Sequence, residues 1–300
     1  MSDKSSLQVM QERDMHKVVV GQKIMKVVSQ FFLYLFLFAV AFVILFPFYW
    51  MVISSVKTVE EYYRNIPTFI PETVVWRNYI DAFDTANLWT LFKNTVFVGI
   101  VSTLLSLVIT ILSAFAFARL EFKGKNILFG GLLATMMIPG ELFTITNYVT
   151  VNQLGWMNTY RVLIIPFLVS VFYIYLLRQN FMQIPNELYL AAKVDGTGDF
   201  KYLIKVMIPL SLPTLISITI MKMMGAWNTY MWPNLVASDE AHQLITNGLR
   251  GADFTEVGGD RVNYPVQMAA VALVSIPLFL VFLFFRKYIM KGVSRSGIKG

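Results

Sequence analysis

The stretch "LYLAAKVDGTGDFKYLIKVMIPLSLP" (residues 188–213) sets two acids and three lysines between apolar runs of membrane length. A hydrocarbon core about 30 Å thick takes about 20 apolar residues as a helix. Six runs meet that length: residues 27–53, 94–118, 127–151, 160–181, 209–232 and 267–285. They are apolar on all sides rather than along one stripe, as helices buried in lipid or in a bundle are. A chain that is 56% hydrophobic and 14% charged also lies outside the usual soluble balance. The expected fold is an all-α membrane protein of six transmembrane helices, with the quoted stretch joining the fourth and fifth.

Lysine and arginine fix the orientation. With the N-terminus inside, the inner segments hold 17 basic residues and the outer ones 7, which puts both termini and the quoted stretch in the cytoplasm. The expected organisation is an N-terminal segment (1–26), a six-helix domain (27–290) containing the loop 185–209, and a tail (291–300). The first run follows Lys4, Arg13, Lys17, Lys23 and Lys26. It is followed by Pro47, Phe48, Tyr49 and Trp50 instead of a small-residue cleavage site, so it reads as a retained span. The net charge of +7 sits beside apolar runs, which points to lipid headgroups and away from nucleic acid. There is no cysteine, and His16 and His242 are far apart, which argues against a metal centre or a thiol nucleophile. Prolines predict broken spans: Pro139 with Gly140 in the third, Pro166 in the fourth, Pro277 in the sixth.

Within the loop, Asn186 is the expected N-cap of a short helix, with Glu187 in its first turn. Leu188, Ala191 and Ala192 fall at i, i+3 and i+4, an apolar face of mostly small residues. Asp195 and Gly196 end the helix, glycine supplying the left-handed turn. Asp199 is the expected cap of a second, interfacial helix that feeds the fifth span at Pro209. A loop cap and a docking element are both compatible with this pattern.

The spacing carries a resemblance. Ala191-Ala192, three residues, Gly196, nine residues and then Val206-Met207-Ile208-Pro209 resembles the "EAA" loop of the membrane subunits of binding-protein-dependent ABC importers. Leu190 stands where that motif has glutamate, with Glu187 one turn earlier. "LFPFYWMVISSVK" (45–57), "MMIPGELFTITNYVTVNQLGWMNTY" (136–160) and "GAWNTYMWP" (225–233) also resemble sugar permeases of the maltose-importer type, in particular the shorter of their two paired permease subunits.

The resemblance implies a multi-pass subunit of a bacterial plasma membrane. It works with a second permease, two ATP-binding subunits and an extracellular solute-binding protein that delivers a sugar. Glu187, Leu188, Leu190, Ala191, Ala192, Asp195, Gly196 and Pro209 would then belong to the element coupled to the ATPase. The chain has no G-x-x-x-x-G-K-[ST] loop, so no nucleotide cofactor is expected in it, and ATP and magnesium fall to the partners. Candidate pathway residues are Glu141, Lys222, Trp227 and Asn228, the two charged ones because ionisable groups inside spans are costly. Three of them also have a structural reading: Glu141 hydrated at a span end, Trp227 at an interface, Asn228 bonding helix to helix. The loop after the fifth span carries Asp239, Glu240, Asp253, Glu256 and Asp260 against Arg250 and Arg261. It is either a solvated acidic surface or a dock for the binding protein. An ion-coupled transporter acting alone is the alternative from another class, and a glycerol phosphate or related polyol is the alternative cargo.

Overall fold

Long apolar runs with no competing turn residues form uninterrupted helices, and three of them are long enough to cross a membrane whole. In the computed structural model, which describes residues 3–256 and 259–294, these are α1 (Asp3–Ser55), α3 (Leu88–Arg119) and α13 (Tyr264–Ser294). A short helix, α2 (Arg77–Thr85), precedes α3. α1 and α13 run unbroken through residues 26 and 290, and residues 1–2 and 295–300 lie outside the described part. The apolar window of α1 has none of its residues buried by the rest of the chain, so lipid or another subunit must cover it.

Three bent helix pairs bring the candidate spans to six if each pair counts as one. α4 (Lys125–Thr135) meets the turn Gly140–Phe143 and α5 (Thr144–Gln153) at 84°. The bend lies at Pro139, whose extended backbone (ψ 130°) cannot continue a helix. α6 (Tyr160–Phe167) meets α7 (Val171–Met182) at 46°, and Ser170 caps α7 by accepting from the Tyr173 amide. Pro166 lies in the closing 3-10 turn of α6, so this bend follows the proline.

The third pair departs from expectation. The helical run Asp199–Leu210, called α9 with the short helix α8 (Asn186–Val194) before it, meets α10 (Leu212–Asn228) at 80°. Two prolines explain the break. Pro209 and Pro213 offer no amide hydrogen to the carbonyls four residues earlier. The turn before Pro209 is widened to a π-helix over Leu203–Met207, and the chain leaves helical geometry at Ser211. The straight helix after the bend therefore begins at Leu212, three residues beyond Pro209. It also ends early: residues 229–230 break it before α11 (Met231–Val236). Pro277, expected to break the sixth span, lies inside a continuous α13.

α3 is the axis of the bundle and packs against α7 and α10. Its buried residues include Asn94, Thr95, Ser102, Thr103, Ser106 and Thr110, a polar stripe at helical spacing turned toward protein. Gly99 lies on this stripe. A Cβ there would come within 2.8 Å of the Met223 sulfur, so a larger residue would require the Met223 side chain to move. At the end where α3 begins, Ala82, Leu88, Leu91, Trp227, Ile245 and Phe254 form one core. At the end where α3 stops, Phe115, Leu177, Phe181, Tyr202, Leu203 and Met207 form another. The second core carries the loop quoted at the outset.

Candidate functional sites

Nine residues are too few for a helix to stand alone in water, so α8 depends on its end and its anchor. Its C-terminus is a Schellman turn. The Thr197 amide donates to the Ala192 carbonyl at 2.8 Å and the Gly196 amide to the Lys193 carbonyl at 3.0 Å, with Gly196 at φ +70°. A Cβ on Gly196 would meet nothing within 4 Å, so the glycine is needed for its conformation and not for space. Gly196→Ala is expected to cost about 1 kcal/mol, the left-handed penalty of a side chain. It should appear as faster amide exchange over residues 192–198 with little change in global melting.

Both expected caps are displaced by one residue. Pro185 holds the N-cap position of α8 with no side-chain acceptor, and Asn186 is the first helical residue. The proline's fixed φ enters the helix, and the Asn186 amide oxygen instead accepts from Arg119 Nη1 at 3.5 Å. Gly198 caps α9, because the Asp199 carboxylate is engaged elsewhere. It accepts from the Tyr189 hydroxyl at 2.7 Å and pairs with Lys193 Nζ at 2.6 Å. The Asp199 carboxylate holds the Lys193 ammonium above its ordinary value, and burial raises Tyr189. The Tyr189 ring lies tilted against Tyr202, centroids 5.1 Å apart, and Tyr202 is buried in the second core.

This clasp decides which side of α8 is free. Tyr189 and Ala192 turn toward the body, while Glu187, Leu188, Leu190, Ala191 and Val194 are exposed, Val194 to 89%. The i, i+3, i+4 face therefore splits: Leu188 and Ala191 face outward, and Ala192 packs inward. Asp195 and Gly196 are exposed at the turn, and Pro209 lies beyond the π-turn of α9.

Two arginines cross-brace the base of this loop. Arg119, the last residue of α3, donates through Nη2 to the carbonyls of Phe181 (2.8 Å) and Ile184. Arg178 on α7 donates to the Phe117 carbonyl of α3 at 3.0 Å and lies 4.1 Å over the Phe129 ring. Carbonyls in the last turn of a helix have no partner within it, and a cation there is favourable. The motif reading did not single out Arg119, because its acceptors lie more than sixty positions away in sequence.

A second region lies deeper in the bundle. A cavity of about 350 Å³ is lined by α3, α6, α7, α10 and α11, with Ser102, Leu163, Phe167, Ser170, Tyr173, Lys222, Thr229 and Trp232 on its wall. Lys222 donates to the Phe167 carbonyl at 2.6 Å, at the break between α6 and α7 where that carbonyl lacks a helical donor. Of the four sequence-derived pathway residues, Lys222 alone is on this wall. Trp227 is buried in the core at the other side of α10, 5.8 Å from the Phe92 ring. Asn228 bonds its own helix, donating to the Met224 carbonyl at 2.8 Å. Glu141 is exposed in the turn at the α4–α5 bend.

Bent helices around a polar-striped axis, with a short helix clasped at one end, recur in a solved structure. A bacterial ABC transporter involved in the import of the acidic polysaccharide alginate has the same fold, with a TM-score of 0.79 at 22% identity over 89% of this chain and 96% of that one. Residues 106–295 match the model of the binding-protein-dependent transport system inner membrane component, and the chain belongs to that family. It is 31% identical to the arabinooligosaccharides transport system permease protein AraQ of Halalkalibacterium halodurans, over 87% of this chain and 93% of that protein. It is 30% identical to the trehalose/maltose transport system permease protein MalG of Thermococcus litoralis, over 87% and 93%.

Proposed function

We propose that this chain is one of two permeases of an ATP-driven importer for a sugar or oligosaccharide, set in the plasma membrane with both termini and α8 on the cytoplasmic side. A solute-binding protein delivers the cargo from outside, and two ATP-binding subunits bind ATP and magnesium. The observation that carries this reading is the free face of α8: a helix anchored by Tyr189 and Ala192 offers Leu188, Leu190, Ala191 and Val194 to solvent. Exposed apolar residues on a rigid short helix suit a groove on another protein. The relatives' named cargoes, arabinooligosaccharides and trehalose or maltose, support a carbohydrate.

In this mechanism closure of the ATPase pair moves α8 as a rigid body. The Schellman turn and the Asp199 clasp transmit that displacement to α9, and the 80° bend at Ser211 converts it into tilt of α10. Arg119 carries the same displacement to α3. The chain itself supplies levers and a pathway and performs no bond chemistry.

The test is uptake of a panel of labelled oligosaccharides by cells with and without this chain, joined to co-purification of the ATP-binding subunit. Loss of uptake of one sugar class on removal is the expected result. Uptake by this chain alone in vesicles lacking ATP would overturn the reading in favour of an ion-coupled carrier. Leu190, where the family motif has glutamate, is half exposed at 56%. Leu190→Ala is expected to weaken capture of the ATP-binding subunit about tenfold, the loss of one buried leucine contact. Unchanged capture would show that Leu190 lies outside the groove.

A further inference from the structure

Building on the importer reading, we propose that the cavity beside Lys222 passes an anionic carbohydrate, a sugar bearing a carboxylate or a phosphate. Lys222 lies inside a membrane-length apolar run, ten residues after Leu212 and six before the end of α10 at Asn228, and it is part-buried on the cavity wall. A cation in such a run persists when something of opposite charge or a polar cavity meets it. No ion pair among the described residues includes Lys222, and no carboxylate is among the residues lining the cavity.

The Phe167 carbonyl takes one of the three hydrogens that a lysine ammonium can donate. The remaining donors have the hydroxyl-bearing Ser102, Ser170, Tyr173 and Thr229 as neighbours on the wall, and hydroxyls can donate to an anion or accept from a sugar. Trp232 adds an apolar ring, held in place because its indole N–H donates to the Val162 carbonyl at 2.9 Å. One cation, several hydroxyls and a fixed aromatic wall form a site for a polar ring that carries a single negative charge. A neutral sugar leaves the ammonium without a counter-charge, and that difference is the basis of selectivity.

The experiment uses cells making the complete importer and three labelled probes: a uronate oligosaccharide, its carboxyl-reduced neutral counterpart of equal length, and a phosphorylated sugar. Lys222→Met is expected to cut uptake of at least one anionic probe by about tenfold or more, with any neutral uptake changed less than about twofold. Lys222→Arg should retain most of the anionic uptake, and which anionic probe responds separates carboxylate from phosphate. Equal loss for charged and neutral probes, at equal amounts of chain in the membrane, would overturn the proposal in favour of a purely structural bond to Phe167. So would unchanged uptake, uptake of the neutral probe alone, or a loss traced to failed assembly with the second permease, which would mark a partner carboxylate as the counter-charge. If removing the whole chain leaves every probe's uptake unaltered, the importer reading itself fails and the proposal falls with it.

Discussion

Arg119→Ala is expected to lower uptake at least about tenfold while ATP turnover by the assembled complex continues, because it removes charge-assisted hydrogen bonds that tie α3 to the base of the α8 loop. Phe181 is fully buried and Ile184 nearly so, so neither carbonyl readily exchanges the lost donor for water. The Phe181 carbonyl keeps the Ile184 amide as a donor at 3.3 Å, so the loss falls chiefly on the Ile184 carbonyl and costs about 1–3 kcal/mol locally. That energy falls on the connection between α7 and α8, not on the bundle core, where Phe115, Leu177 and Met207 keep their packing. Uncoupling, rather than loss of the protein from the membrane, is therefore the signature.

Arg119→Lys separates position from charge. Lysine keeps the favourable cation at the ends of α3 and α7 but has no planar fork with which to hold two carbonyls and Asn186 together. Partial recovery of uptake is expected, with faster amide exchange over residues 183–198 in the alanine variant than in the lysine variant. If both variants transport normally with normal ATP turnover, α3 is not a lever and the displacement passes through α9 alone.

Why Arg119 had to be found in three dimensions, while Gly196 did not, marks the boundary of what the chain reveals as text. The loop pattern is local: Ala192, Gly196 and Thr197 close one Schellman turn, and its geometry follows from residues within five positions. The apolar runs were legible for a similar reason, since length and apolarity are properties of a run; three form whole helices, and three match bent pairs that reach span length only together. Bends were legible by residue type but not by place. Pro139 marks its break, whereas Pro166 precedes one, Pro277 makes none, and the sharp turn at Ser211 needs Pro209 and Pro213 acting on the same stretch. The cap assignments failed because Asp199 had a stronger claim from Tyr189 and Lys193 than from its own backbone. Sequence marked Lys222 as costly, yet the cavity wall it shares with Ser102, Ser170 and Tyr173 is assembled from four further helices. Trp227 and Asn228 leave α10 at other angles and about 8–9 Å further along it than Lys222, and α10 is packed against α3 and α13.

Asn94 illustrates the same limit with the larger energetic consequence. It first reads as the polar start of an apolar run, but α3 begins at Leu88, and Asn94 lies within the helix with 2% of its surface exposed. Its amide nitrogen donates to the carbonyls of Ala241 (2.8 Å) and Gln243 (3.0 Å), and its amide oxygen accepts from the Tyr160 hydroxyl (2.7 Å). Next to it, Thr95 accepts the amide of Ile245, the first residue of α12 (Ile245–Gly251). One side chain thus holds three segments that a helix in lipid would otherwise leave independent. Asn94→Leu, close in size, leaves two carbonyls and a hydroxyl without partners and is expected to destabilise the chain by about 3–4 kcal/mol. Asn94→Asp is expected to be at least as severe, because a carboxylate would replace the donor that faces two carbonyls. Tyr160→Phe removes one bond only and should cost about 1 kcal/mol. The decisive measurement is the double variant by thermal unfolding in detergent. Once Asn94 is leucine the Tyr160 hydroxyl has already lost its acceptor, so Tyr160→Phe should then cost almost nothing or recover stability. Strict additivity of the two changes would mean that the hydroxyl and the amide do not act as one connected unit, and that the 238–248 segment is held by Thr95 and the surrounding core instead.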